Sequence, residues 1–158
     1  MTSSPRFIHL RTHTEYSLLE GALRLKKLSD LCKSADMPAI AVTDTNNMFS
    51  ALEFSVTLSD AGIQPILGCQ VDFTYQKAAP GEKPRTPAPL VLLAQSEAGY
   101  ENLMKLNSCL YLDKGHQLPQ VTIDELEQFS DGLICLSGGP NGPIGRLLQQ
   151  GSAPQPKS

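Results

Sequence analysis

The sequence has no excess of basic residues and no long hydrophobic run. Its 158 residues carry 13 Lys and Arg against 16 Asp and Glu, which gives a formal net charge of −3 and an isoelectric point near 5.5. A surface that covers a nucleic-acid backbone needs clustered Lys and Arg, so this balance argues against a self-contained nucleic-acid-binding module. The longest apolar stretches, such as residues 90–94, fall far short of the roughly 20 residues that a membrane-spanning helix requires. We therefore expect no membrane helix.

The sequence also lacks a secretory signal and any close pair of cysteines. No apolar run of signal-peptide length follows the N-terminal MTSSPRFIHL, so we expect a reducing, cytoplasmic location. The four cysteines lie about 26 to 40 residues apart and form no C-x-x-C pair of the kind typical of zinc ribbons or redox sites. They are Cys32, Cys69, Cys109 and Cys135. We expect them to be small interior side chains.

The length suits one domain with a hydrophobic core and is short for two. Hydrophobic residues make up 41% of the chain and charged residues 18%, as in soluble globular proteins. We assign a short lead to residues 1–6, a single domain to residues 7–150, and a polar, disordered tail to residues 151–158.

Short apolar runs alternate with amphipathic segments, and this rhythm predicts a series of βα units in an α/β fold. Predicted strands cover residues 7–13, 38–43, 64–75, 90–94 and 132–137. Predicted helices cover residues 23–35, 46–59, 96–110, 122–129 and 144–149, and an exposed, proline-bearing loop covers 76–89. Gly68 predicts a bend or bulge within the third strand. Such units either close into a barrel or form an open sheet, and both place ligands at the carboxyl ends of the strands.

Polar side chains lie at the ends of the first three predicted strands. His13 ends the first, Asp44 follows the second, and Gln70 lies on the third. Imidazole and carboxylate groups on neighbouring strands are ligands for a divalent metal, but a catalytic site needs about three protein ligands. In the alternative, Asp44 caps the following helix and His13 forms a local hydrogen bond. The spacing of Ser17 and Glu20 indicates that these two side chains pack within the loop or cap it locally.

Four motifs occur in order along the chain. They are FIHLRTHTEYSLLEGA at 7–22, AVTDTNNM at 41–48, QPILGC at 64–69 and LVLLAQSEAGYENL at 90–103. Together they resemble the start of the PHP (polymerase and histidinol phosphatase) domain of bacterial replicative DNA polymerase III alpha subunits, over about residues 7–148. The resemblance implies a partial, distorted (β/α)7 barrel of TIM-like type, of which this chain covers the first part. It also implies a parent protein that is a DNA-directed DNA polymerase, a nucleotidyltransferase of DNA replication.

Catalytic members of that family hold metal ions with a His-x-His pair, an Asp-His pair and a Glu on the first three strands. The resemblance places Arg11 and His13 at the first pair, Asp44 and Thr45 at the second, and Gln70 at the Glu position. Only His13 and Asp44 keep the ligand type. A guanidinium in place of a neutral donor and an amide in place of a carboxylate both disfavour a cation.

Two further ligand positions of the family are also lost. They fall near Pro89, where a His is absent, and near Gly139, where a Cys is absent. The resemblance therefore implies a degenerate metal site, with no cofactor expected for this chain and at most a residual divalent metal at His13 and Asp44.

The resemblance implies a non-catalytic module with a structural and protein-docking role in the replicative holoenzyme. Its expected partner is the proofreading exonuclease subunit, and DNA is met only through the parent protein. The alternative is a metal-dependent phosphoesterase or 3′–5′ exonuclease that uses His13, Asp44 and ligands beyond Ser158 to activate water. A third hypothesis is a small α/β binding protein unrelated to replication. In a partial barrel we also expect an unpaired strand edge.

Overall fold

The computed structural model describes residues 7–76, 86–112 and 118–151. The predicted lead at 1–6, most of the predicted loop and most of the predicted tail lie outside the described residues. Within these ranges the chain forms a mixed α/β fold around a five-stranded sheet. No helix in these ranges is long and apolar enough to cross a membrane.

Helices and strands alternate along most of the chain. The helices are α1 (Leu25–Ser34), α2 (Ala51–Asp60), α3 (Glu97–Cys109), α4 (Ile123–Gln128) and α5 (Pro143–Gln149), with a 3-10 turn at Gly139–Asn141. The strands are β1 (Ala39–Val42), β2 (Gln64–Thr74), β3 (Ala88–Ala94), β4 (Val121–Thr122) and β5 (Leu133–Leu136). The two-residue strand β4 has no counterpart among the predicted strands, and β3 begins two residues before its prediction.

Two helices begin with a side-chain cap. The Ser96 hydroxyl accepts a hydrogen bond from the backbone N–H of Gly99 at 3.1 Å, ahead of α3. Thr122 and Glu125 form the reciprocal capping box at the start of α4. Such caps satisfy the backbone N–H groups that the first helical turn leaves without partners.

The prediction that helix α2 begins at Asn46 is wrong by five residues. Asn46 has a φ of 55°, in the left-handed region, and a right-handed helix does not run through such a residue. The carbonyl of Gln70 accepts the Asn46 N–H at 2.7 Å, so this segment continues the pairing of β1 with β2 instead.

The prediction of a strand over residues 7–13 is also wrong. Two backbone hydrogen bonds of 2.8 Å join this segment to the second predicted strand, from Ala41 N–H to the His9 carbonyl and from Thr43 N–H to the Thr12 carbonyl. The two donors, Ala41 and Thr43, are two residues apart, whereas the two acceptors, His9 and Thr12, are three residues apart. The extra residue breaks a regular ladder, as in a bulge.

Strand β2 is the centre of the sheet. Its residues 64–67 pair parallel with β1, residues 68–73 pair antiparallel with β3, and residues 73–74 pair parallel with β4. The change of partner occurs at Gly68, where the sequence predicts a bend. A Cβ atom there would lie 2.6 Å from the Leu92 carbonyl oxygen, so only glycine allows this approach of the two backbones.

The predicted series of βα units is interrupted at β3, which is antiparallel to both β2 and β5. A parallel return needs a crossover connection, usually a helix, whereas the segment between β2 and β3 has no helical periodicity. The strand order is β1-β2-β3-β5, and the sheet is not closed. A TIM-like barrel is therefore not confirmed within the described ranges, and β5 lies at one edge of the sheet.

Helices α1, α2 and α3 cover one face of the sheet. One cluster of buried hydrophobic side chains packs α1 and α2 against β1, and a second packs α3 against β2 and β3. Leu67 and Cys69, which contact these two clusters, lie two residues apart on β2 and so point to the same face. Cys32 and Cys69 are buried as predicted, but Cys135 is exposed because it lies on the edge strand.

Candidate functional site

The carboxylate of Asp44 lies at the end of β1 and is only 1% exposed. It accepts four hydrogen bonds, all between 2.6 and 2.8 Å. Oδ1 receives the backbone N–H of Thr14 and the hydroxyl of Ser17, and Oδ2 receives the hydroxyls of Thr14 and Ser50. A carboxylate offers about four lone-pair sites, so all of them are occupied by protein donors.

These hydrogen bonds connect three parts of the chain. Thr14 and Ser17 belong to the turn that follows the irregular first segment, and Ser50 is the residue before α2. Asp44 receives the Ser50 hydroxyl and, within the described chain, no backbone N–H of α2, so it does not cap this helix. Instead the carboxylate fixes the turn and the start of α2 against the end of β1.

His13 lies beside this cluster, half-buried. Its Nδ1 is 3.3 Å from Ser17 Oγ and 3.5 Å from Thr45 Oγ1. The Ser17 hydroxyl already donates to Asp44, and that of Thr45 donates to Glu20 Oε2 at 2.5 Å. Both neighbours can therefore only accept from the imidazole, which assigns the proton to Nδ1 and leaves Nε2 unprotonated.

Several nearby groups set the pKa of His13. Burial lowers this pKa below the usual 6.5, and the guanidinium of Arg11 lowers it further. The carboxylates of Glu20 and Asp44 raise it in part, with Glu20 Oε2 at 4.0 Å from Nδ1. Burial is the largest of these effects, so the net shift of the pKa is downward and favours the neutral imidazole.

Thr45 and Gln70 continue this polar network where the family resemblance places two lost ligands. Thr45 Oγ1 accepts from Gln70 Nε2 at 3.2 Å. Gln70 is 5% exposed, and its Oε1 is buried and has no hydrogen-bond partner among the described residues. A buried acceptor of this kind costs about 1–3 kcal/mol. The resemblance places a Glu at this position, and the amide of Gln70 supplies no charge there.

The polar side chains at this end of the sheet, which we call the rim, do not fit a metal centre. The rim consists of His13, Asp44, Thr45 and Gln70. Nowhere in the described ranges does a group of three or more His, Cys, Asp or Glu side chains have an arrangement that could hold a metal ion. Asp44 has no lone pair left for a cation, and Arg11 adds a positive charge near His13. The structure brings His13, Thr45 and Gln70 together with Asp44, but as a hydrogen-bonded rim.

Sequence reasoning missed the hydroxyl groups that satisfy Asp44. Ser17 is predicted to act locally with Glu20, yet its hydroxyl donates to a carboxylate 27 residues away. Thr14 and Ser50 carry no motif that singles them out. Glu20 is predicted to pair locally with Ser17, whereas its carboxylate accepts a hydrogen bond from the Thr45 hydroxyl.

The thiol of Cys69 lies beneath the rim. Its Sγ is 3.4 Å from the carbonyl oxygens of both Asp44 and Asn47. Burial raises the pKa of this thiol to about 12, so it stays protonated and donates to the backbone. It is a packing residue and offers no thiolate ligand.

Comparison with known proteins shows the family of this chain. A family model described as "PHP domain" matches residues 9–158. The chain belongs to the PHP domain family. This confirms the family to which the four motifs point.

Curated relatives of this PHP domain include DNA polymerase III alpha subunits of three bacteria. Identity is 42% over 147 residues for Caulobacter vibrioides, 38% over 151 for Borreliella burgdorferi and 39% over 155 for Vibrio cholerae. These alignments cover 92%, 94% and 97% of this chain. The chain spans only 13% of the length of each relative.

Among solved structures, an amidohydrolase from Chromobacterium violaceum is similar at 20% identity with a TM-score of 0.49. The superposition covers 65% of this chain and 32% of the amidohydrolase.

We predict that Asp44→Asn lowers the free energy of unfolding by about 3 kcal/mol, because an amide NH₂ would face donors that need an acceptor. Urea denaturation followed by circular dichroism measures this change. The matched control is Asp60→Asn at the exposed end of α2, which should change stability by less than about 0.5 kcal/mol. Equal, small effects of the two substitutions would contradict the role assigned to Asp44.

Proposed function

We propose that this chain is the PHP portion of the alpha subunit of a bacterial replicative DNA polymerase, and that its role is structural and protein-docking. The observation that carries this proposal is the Asp44 carboxylate, whose lone pairs are all occupied by four hydrogen bonds from Thr14, Ser17 and Ser50. The similarity to alpha subunits from several bacteria supports the assignment to replication.

The remaining chemistry of the rim argues against hydrolysis. A metal-dependent phosphoesterase needs a cation to activate water, and that cation needs several anionic or imidazole ligands. Here His13 offers one unprotonated nitrogen, while Thr45 and Gln70 offer neutral oxygens that are weak ligands for zinc. The residual metal site at His13 and Asp44 is therefore not expected to fill.

The proposal also covers the wider protein. The open edge at β5 would be continued by further chain into a distorted (β/α)7 barrel. The partners would be the replicative holoenzyme and, within it, the proofreading exonuclease subunit. DNA would be contacted only through other parts of the parent protein, in agreement with the net charge of −3, and the location would be cytoplasmic.

We predict that the chain purified without chelators contains zinc and manganese well below one ion per molecule, because its ligand set is incomplete. Elemental analysis by mass spectrometry measures the content. The control is His13→Ala, which should show the same low content as the unaltered chain. Stoichiometric metal that is lost in His13→Ala would favour the phosphoesterase or exonuclease alternative.

We predict that the proofreading exonuclease subunit of the same bacterium binds this chain at micromolar concentrations. Isothermal titration calorimetry measures the binding, since burial of an interface releases or absorbs heat. A polymerase subunit that docks elsewhere on the holoenzyme serves as the negative control. The absence of heat with the exonuclease at these concentrations would contradict docking by this chain.

A further inference from the structure

A cavity of about 570 Å³ lies between the first segment of the chain and helix α1. Its walls are formed by residues 9–13, by the returning part of the turn at 20–23, and by one side of α1. Of the four rim residues only His13 lines it, so the cavity extends away from the rim along α1. Volumes of about 300 to 1,000 Å³ are typical of cavities that bind small molecules.

The interior of this cavity is apolar. Its larger apolar lining residues are Leu23, Leu28, Leu31, Cys32, Met37 and Ile40. Leu28, Cys32 and Ile40 belong to the buried cluster under α1 and α2. Leu23 and Leu31 are 36% and 49% exposed, so apolar surface remains uncovered at the opening. A ligand that covers these two leucines removes that surface from water, which favours binding.

Backbone contacts hold the walls of the cavity in place. Two hydrogen bonds of 2.8 Å join the first segment to β1 and the residue after it. On the other side, Glu15 N–H donates to the Leu23 carbonyl at 3.0 Å, and a Cβ atom on Gly21 would lie 1.9 Å from the Thr14 carbonyl oxygen. The turn therefore returns directly against the segment that precedes it. A cavity whose walls are already held needs little ordering when a ligand binds.

One of the polar groups at the cavity is a cation without a partner. The charged and imidazole groups that line the cavity are His9, Arg11, His13 and Glu20. The Glu20 carboxylate accepts the Thr45 hydroxyl and lies 4.0 Å from His13 Nδ1. Arg11 is exposed and has no hydrogen bond or ion pair with any described residue. Its guanidinium also affects the pKa of His13 more than either neighbouring carboxylate does.

We propose that this cavity binds a small amphipathic acid. The carboxylate of the ligand would pair with the Arg11 guanidinium, whose planar donors match a carboxylate. The aliphatic chain would lie against Leu23, Leu28 and Leu31. A second negative charge on the ligand would be repelled by Glu20, so the ligand carries a single carboxylate. This inference goes beyond the docking role proposed above and does not rest on it.

The test is a titration of the 158-residue chain with octanoate, followed by NMR of the leucine and isoleucine methyl groups. Octanamide, which has the same shape and no charge, is the matched ligand. Both should shift the methyl signals of Leu23, Leu28 and Leu31 and saturate at concentrations on the order of millimolar, as expected for ligands of this size. Octanoate should bind about threefold more tightly than octanamide, because an exposed ion pair adds only modestly to affinity.

Two pairs of variants locate the site. Arg11→Gln should remove the preference for octanoate, whereas Lys26→Gln, a cation of α1 outside the cavity, should keep it. Leu31→Asn should weaken both ligands about fivefold, because a polar side chain then replaces part of the apolar wall. Its matched control is Leu52→Asn, an exposed leucine of α2, which should weaken neither ligand.

Several results would overturn the proposal. They are equal binding of octanoate and octanamide, equal effects within either pair of variants, or shifts at Leu52 as large as those at Leu28. If neither ligand saturates, the cavity is a surface that protein covers and the proposal fails. The comparison of the two ligands needs no variant, so it decides even where a substitution alters folding. The exonuclease titration is a separate measurement, and its outcome leaves this inference unchanged.

Discussion

The four hydrogen bonds to the Asp44 carboxylate are the constraint on which the rest of the rim depends. A buried charge is costly unless it is fully hydrogen-bonded, and here Thr14, Ser17 and Ser50 supply every donor. Because the Ser17 hydroxyl is committed to Asp44, it can only accept from His13, which fixes the imidazole tautomer. The position of the turn and the start of α2 thus follow from one side chain, and the same side chain contributes to the choice of the His13 tautomer.

The same constraint explains how protein groups alone hold this end of the sheet together. Hydroxyl donors satisfy the carboxylate, and the backbone holds the rim, since Gln70 N–H donates to the Asp44 carbonyl at 3.1 Å beyond the end of β1.

Local signals in the sequence predict much of the fold. The spacing of Leu25, Leu28 and Cys32 predicts α1, and the capping box of Thr122 and Glu125 predicts α4, because both depend on neighbouring residues. The antiparallel direction of β3 and the irregular pairing of residues 7–13 depend on contacts between distant segments.

The candidate site is predictable to a similar extent. The sequence places His13, Asp44 and Gln70 at one rim, and the structure brings them into one network. The sequence does not reveal that hydrogen bonds occupy every lone pair of the Asp44 carboxylate. The donors lie 27 and 30 residues upstream and six residues downstream, and no motif links them. Hydroxyl groups are common in loops, and only the folded backbone selects these three residues.

Amide hydrogen exchange at Thr14, measured by NMR in the presence of a chelator, tests the central claim most directly. The Thr14 N–H donates to Asp44 Oδ1 at 2.6 Å and the residue is fully buried. If the carboxylate holds the rim without a cation, this amide exchanges as slowly as those of β3, and added zinc changes nothing. Exchange as fast as in an exposed loop, or protection that appears only with zinc, would contradict the account.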